Sequence, residues 1–163
     1  MFEILDKVCT PRRDSRYSAG MGLFAREDIV IGAGETKSIP LGVKINLEKI
    51  KEIAIPTRNV PTLWVDDEFD RFLRTHCLEV FLRKSLAVES LIVPNGIELV
   101  NLDYPYEIEL LVHKALNAGE YFNVNGSLIC FNDPNHSFKI SRGQQVAECM
   151  LTKHKGYLMD TEG

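Results

Sequence analysis

Short runs of alternating apolar and polar residues, separated by turn signals, recur along most of this 163-residue sequence. In the clearest run, residues 36–47, every second residue from Ile39 to Ile45 is apolar, as is typical of a β-strand with one buried face. Asn125-Gly126 stands between two such runs within 121–131 and is a strong hairpin signal. Many short strands joined by turns predict an all-β sandwich, jelly roll or barrel. The other predicted strands are 28–31, 79–82, 90–93, 106–113, 136–140 and 145–151.

One segment has helical periodicity instead. Phe69, Phe72 and Leu73 fall on one stripe of residues 66–76, after an acidic first turn, which predicts one short helix inserted at about 50–76. The four acids at 66, 67, 68 and 70 could be interpreted as a Mg²⁺ site, but their interaction with the helix dipole is the simpler explanation. The prolines at 56 and 61 predict an irregular connection before the helix.

Composition excludes several function classes. The net charge of −4 argues against broad nucleic-acid binding and against an anionic membrane surface. No run approaches the roughly 20 apolar residues that span a bilayer, and the N-terminus does not resemble a secretory signal, so we expect one intracellular domain over 1–163, cytoplasmic or inside a host cell. The scattered cysteines and histidines predict buried thiols and no metal site. The cysteines are Cys9, Cys77, Cys130 and Cys149.

Three segments, in order, resemble motifs of the homotrimeric dUTPase family. Residues 18–25 (SAGMGLFA) resemble A-G-x-D-L-x-A, residues 82–87 (LRKSLA) resemble the R-S-S-L-A phosphate loop, and residues 141–148 (SRGQQVAE) resemble K-G-D-R-I-A-Q. Between the last two, residues 101–108 (NLDYPYEI) are similar to the family motif G-x-I-D-S-D-Y-R-G-E-I. The resemblance implies a dUTPase-like distorted jelly roll or β-clip barrel that assembles as a homotrimer.

The family reaction is attack of water on the α-phosphorus of dUTP, which releases dUMP and pyrophosphate. A carboxylate accepts the proton of that water. By the match, Asn101 occupies the position of this carboxylate, and an amide cannot take the proton, so no catalytic residue is predicted. The nucleotide-binding residues that the resemblance implies are Arg83, Lys84, Ser85, Asn95, Asn101, Tyr104 and Glu148.

Two of these residues imply a retained pyrimidine pocket. Asn95 matches the family's uracil-recognising asparagine, and Tyr104 matches the tyrosine that packs against the deoxyribose. The alternative is that Asn95 is only a turn residue beside Pro94 and Gly96, and that Tyr104 is a core aromatic.

Further departures from the family motifs lie at positions that the resemblance places around the nucleotide phosphates. Gly22 replaces an aspartate, Lys84 replaces a serine, and Glu148 replaces a glutamine. The C-terminal residues also lack the family's glycine-rich arm. Without the base and this arm, ordinary dUTP hydrolysis is not expected.

Three functions remain open from the sequence. The first is a non-hydrolytic trimer that binds a (deoxy)pyrimidine nucleotide or a protein partner, a role consistent with a viral setting. The second is an active dUTP or dNTP pyrophosphatase that uses Glu148 or Asp103 as its base, with Mg²⁺ as its only cofactor. The third is a structural or decorating trimer with a vestigial pocket.

Overall fold

The computed structural model of the chain describes residues 1–55, 65–115, 120–131 and 137–155. Within these residues the fold is built mainly from antiparallel strands, with three helices, α1 (Leu47–Ala54), α2 (Val65–Thr75) and α3 (Lys84–Val88). The strands are β1 (Phe2–Ile4), β2 (Met21–Phe24), β3 (Ile29–Ile31), β4 (Thr36–Ile45), β5 (His76–Leu82), β6 (Leu91–Ile92), β7 (Glu98–Asn101), β8 (Glu107–Lys114), β9 (Glu120–Val124), β10 (Ser127–Phe131), β11 (Phe138–Ile140) and β12 (Gln145–Lys153).

Two four-stranded sheets form the framework. One has the strand order β1-β4-β8-β6 and the other the order β2-β12-β5-β7. Two further pairs, β11-β3 and β10-β9, complete the strands. Strands distant in sequence lie side by side in both sheets, as in a jelly roll, and the predicted all-β, jelly-roll class is confirmed.

The hydrophobic core takes alternate residues from both four-stranded sheets. In β4, Ile39, Leu41, Val43 and Ile45 are all buried, which confirms the period-two pattern of this strand. From the other sheet, the core receives the buried residues Leu23, Leu78, Val80, Val100, Ala147 and Cys149. The opposite face of that second sheet carries both polar and apolar residues, among them Glu79, Glu148 and the exposed Leu99.

The segment predicted as an insertion, about 50–76, contains α2 and the larger part of α1 rather than one helix. The predicted helix is confirmed as α2, and Phe69, Phe72 and Leu73 pack against the core. The preceding helix, α1, was not predicted. It starts where Asn46 accepts a hydrogen bond from the Lys49 amide, and this N-cap also ends β4 two residues before its predicted limit. Residues 56–64, with both prolines, lie outside the described residues.

The Asn125-Gly126 hairpin is confirmed. Ser127 pairs with Val124 across the turn, and both central residues have positive φ, 52° for Asn125 and 83° for Gly126. This conformation is the type I′ turn that Asn-Gly favours, because its twist matches the twist of the flanking strands.

Candidate functional site

A cavity of about 430 Å³ lies beside the edge strand β7. It contains three of the predicted nucleotide-binding residues, Asn95, Asn101 and Tyr104. The other described residues that line it are Ser38, Glu98, Leu99, Val100, Ile108, Glu109 and Leu111. The volume falls within the usual range of small-molecule pockets.

Local turns place Asn101 and Tyr104 on the same side of the sheet. Asn101 ends β7, pairs with Cys77 of β5, and has an exposed side chain. Its carbonyl accepts a hydrogen bond of 3.1 Å from the Tyr104 amide, which closes a tight turn. The Tyr104 ring is 41% exposed and meets the Tyr106 ring edge to face at 5.5 Å. Tyr104 is therefore not a core aromatic, and that alternative interpretation is wrong.

Asn95 lies in the turn before β7. Gly96, with φ +82°, donates to the Val93 carbonyl, so Asn95 is held in a tight loop. Its side-chain Nδ2 donates to Glu98 Oε2 at 3.2 Å. A carboxylate only accepts hydrogen bonds, so the amide nitrogen faces Glu98 and the amide oxygen points away from it. Asn95 thus lies in a turn and also lines the cavity.

Two carboxylates that sequence reasoning missed line the cavity. Glu98 accepts from Asn95, and Glu109 accepts a 2.5 Å hydrogen bond from Ser38 Oγ. Glu109 lies on the exposed face of β8, so its place in the strand alternation was the only available signal. Neither Glu148 nor Asp103, the predicted substitutes for the missing base, is among the described residues that line this cavity.

The matched phosphate loop forms the start of a short helix. Arg83 precedes α3 in extended conformation, and Lys84 and Ser85 begin the helix with exposed side chains. Leu86 is buried and anchors the segment. At its far end, Lys114, only 2% exposed, donates from Nζ to the Glu89 carbonyl at 3.0 Å. Leu86 and the Glu89 carbonyl therefore hold the helix that follows Arg83.

Arg83 is oriented by the neighbouring strand. Its Nη1 donates to Gln145 Oε1 at 2.9 Å. Gln145 lies at the start of β12, whose Glu148 pairs with Gly22 on one side and with Phe81 on the other. Glu148 is exposed on the outer face of this sheet. The structure thus brings Arg83, Lys84, Ser85 and Glu148 to one region of the sheet.

Asn101 and the matched phosphate loop lie far apart within one chain. Asn101 pairs with Cys77 near the start of β5, whereas Arg83 follows its last residue, Leu82. Arg83 lies six positions after Cys77, which corresponds to about 20 Å of extended strand. In a single copy, Asn101 is therefore remote from Arg83, whereas Glu98, at the other end of β7, pairs with Val80 only three positions before Arg83.

The described residues contain no group of three or more histidines, cysteines, aspartates or glutamates that could hold a metal ion. Among the acids that begin α2, Asp66 accepts a hydrogen bond of 2.8 Å from Lys51 Nζ.

Cys9, Cys77 and Cys149 are buried free thiols, and burial raises the pKa of Cys149 to about 12. None of the helices that the structure describes has the length and apolar character required to cross a membrane.

No family profile and no curated protein matches the sequence. Solved structures do match. The dUTPase of Streptococcus mutans is 16% identical, covers 99% of this chain and 98% of its own, and has a TM-score of 0.61. The dUTPase of phage phi11 of S. aureus is 13% identical, covers 95% and 90%, and has a TM-score of 0.61.

A dUTPase of Staphylococcus bacteriophage 80alpha, solved as a mutant with dUpNHpp, is also similar. It is 14% identical, covers 95% of this chain and 82% of its own, and has a TM-score of 0.61. All three similarities extend over nearly the whole of this chain at low sequence identity. The protein therefore has the fold of the dUTPases.

Proposed function

We propose that this protein binds a (deoxy)pyrimidine nucleotide without hydrolysing it, in sites shared between the subunits of a homotrimer. The observation that carries the proposal is the position of Asn101. It lies in one cavity with Asn95 and Tyr104 and has an amide where the resemblance implies the carboxylate base. An amide can hold a water molecule by hydrogen bonds, but it cannot accept its proton.

The nucleoside half of the site is the β7 cavity. Tyr104 offers a partly exposed ring face for the sugar, and Asn95 offers amide groups for the base edge. Both side chains are held by local contacts, so little conformational entropy is lost when a ligand binds.

The phosphate half is the basic loop of Arg83, Lys84 and Ser85. Its separation of about 20 Å from Asn101 along β5 supports a site completed by a second copy, in which the loop of one subunit faces the cavity of the next. The bacterial and phage dUTPases with the same fold support this arrangement.

Nucleotide binding without turnover suits a regulatory role. The dUTPase of Staphylococcus bacteriophage 80alpha is one of the phage dUTPases that control transfer of virulence genes. In this protein, the bound nucleotide would bias recognition of a protein partner. The extra segment of about 50–76 contains α2 and the larger part of α1, and these helices offer a surface for such a partner. The phage phi11 dUTPase likewise has a species-specific insert.

The test separates binding from turnover. Purified protein is incubated with each dNTP and Mg²⁺, and released pyrophosphate is measured against heat-inactivated protein. Titration calorimetry with a non-hydrolysable dUTP analogue then measures binding. We expect heat of binding that Asn95→Ala and Tyr104→Ala reduce, and no pyrophosphate. Pyrophosphate release by the wild type would overturn the non-hydrolytic assignment, and no heat with any nucleotide would favour a vestigial pocket.

An active pyrophosphatase is the second candidate, and Glu109 is the observation that favours it. Ser38 Oγ fixes this carboxylate at 2.5 Å inside the cavity, where a general base is needed. Mg²⁺ would arrive with the triphosphate as part of the substrate. If pyrophosphate is released, Glu109→Gln should abolish the release and Glu98→Gln should not.

A further inference from the structure

Gln145 fills a space that only glycine leaves open. A Cβ atom built on Gly22 would lie 2.6 Å from Gln145 Nε2 and 2.8 Å from its Cδ. Heavy atoms do not approach so closely, so any side chain at position 22 would displace the Gln145 amide. The absence of a side chain at Gly22 therefore determines where Gln145 lies.

Gln145 in turn holds Arg83. Its Oε1 accepts from Arg83 Nη1 at 2.9 Å, while its Nε2 is buried without a hydrogen-bond partner. A buried unsatisfied amide nitrogen costs free energy. An amide that turned its nitrogen toward the guanidinium would lose the Arg83 bond, since both groups would then be donors. The bond to Arg83 thus fixes the orientation of the amide.

The bond leaves the charge of Arg83 uncompensated. Gln145 is neutral, and no carboxylate among the described residues forms an ion pair with Arg83; Glu148, across from Gly22, makes none either. A guanidinium has five N–H donors, and only one is used here by the Gln145 side chain. The remaining donors suit a phosphate group, which guanidinium binds in bidentate fashion.

The motif resemblance places charged residues at both contacting positions. The family patterns have aspartate where this chain has Gly22 and arginine where it has Gln145. Here the two positions touch each other, so both departures remove charge from one location beside Arg83. The two departures together replace two charged residues by two uncharged ones.

We infer that Gln145 is a positioning residue that orients Arg83 toward a phosphate or pyrophosphate group. Gly22, which has no side chain, leaves the space that the Gln145 amide occupies. The inference rests on the proposed function for the identity of the anion. It does not depend on the nucleoside cavity, because pyrophosphate has no base or sugar.

The test is a double-mutant cycle on pyrophosphate affinity, measured by calorimetry in the full-length protein without nucleotide. Gln145→Met keeps the volume but cannot accept the hydrogen bond, and it should weaken binding about tenfold. Arg83→Ala should weaken it at least as much, and Gln145→Met should have no further effect in that background. Gln144→Ala is the matched control, since Gln144 accepts from the Ser141 amide and does not contact Arg83 through a hydrogen bond.

Gly22→Ala gives an independent check. It should weaken pyrophosphate binding as Gln145→Met does, and the two changes together should be no worse than either alone. Equal weakening by Gln145→Met with and without Arg83 would overturn the inference, as would no weakening at all or no pyrophosphate binding by the wild type. If pyrophosphate behaves as expected but a dUTP analogue binds no more tightly than pyrophosphate, the proposed nucleotide function fails and this inference stands.

Discussion

Asn101 and Arg83 lie toward opposite ends of strand β5, with Asn101 paired to Cys77 and Arg83 immediately after Leu82. Under the proposed function, a nucleotide that uses both contacts two copies of the chain. Asn95→Ala and Arg83→Ala should each weaken binding of a fluorescent dUTP analogue. Refolding them as an equal mixture should restore about a quarter of the sites, because random trimers then contain some junctions with both intact halves.

A mixture of Arg83→Ala and Lys84→Ala is the control for this complementation, since both changes affect the same half and no junction becomes intact. Light scattering measures the oligomer in parallel. A monomer in solution, or no recovery in the first mixture, would contradict the shared site.

The carboxylates of Glu98 and Glu109 should affect how tightly the cavity binds an anionic ligand. Glu98 and Glu109 line the same cavity as Asn101, so Asn101→Asp adds a third negative charge to the cavity in which the triphosphate is proposed to bind. We expect this change to weaken binding of the dUTP analogue roughly 3- to 10-fold and Glu98→Gln to strengthen it. Both effects should shrink at high salt.

Glu79→Gln is the matched control for this series. Glu79 lies on β5 and is not among the described residues that line the cavity, so Glu79→Gln removes one negative charge, as Glu98→Gln does, but should alter affinity little. If Asn101→Asp leaves the calorimetric affinity unchanged at low salt, the nucleotide does not bind near Asn101.

The sequence indicated which residues share the cavity on β7 better than it indicated their surroundings. Asn95, Asn101 and Tyr104 are close in the chain, so one turn and one strand bring them together. Glu109 joins them only through the pairing of β4 with β8, which places Ser38 beside it. The contact between Gln145 and Gly22 depends on strand pairing in the same way, and a linear motif cannot reveal it.

Strand positions were predictable where period-two alternation was strong, as in β4, β8 and β12. The helices were harder. In α2 three apolar residues share a stripe, whereas in α1 only Ile50 is buried, so the periodic signal of α1 is weak. Strands as short as β1 and β7 carry too few residues to show a period, and their pairing with longer neighbours forms them.

Cys149 should make stability sensitive to alkali. Burial, the largest cause, raises the pKa of this thiol to about 12 from 9.0. The folded state therefore favours the neutral Cys149 thiol. The stability that this buried thiol contributes is complete below about pH 9, the pKa of the thiol in the unfolded chain, and is lost as the pH rises toward 12. Cys149→Ala should flatten the alkaline fall in the denaturation midpoint between pH 8 and about 10.5.

Burial also raises the pKa of Cys9 and Cys77, so some alkaline slope should remain in the Cys149→Ala variant. Guanidinium titrations at several pH values measure it. An unchanged alkaline slope in Cys149→Ala would show that Cys149 does not contribute.

Gly42 should tolerate no side chain. It has φ +62°, and a Cβ atom there would lie 2.6 Å from both Cβ and Sγ of the buried Cys9. Gly42→Ala therefore combines left-handed strain with overpacking and should lower the free energy of unfolding by about 2–4 kcal/mol. Gly32→Ala is the control, because its Cβ would meet only Glu35 Oε2, at 3.5 Å, and its effect should stay within about 0.5 kcal/mol. Equal denaturation midpoints for the two variants would show that the irregular part of β4 around Gly42 relaxes without cost.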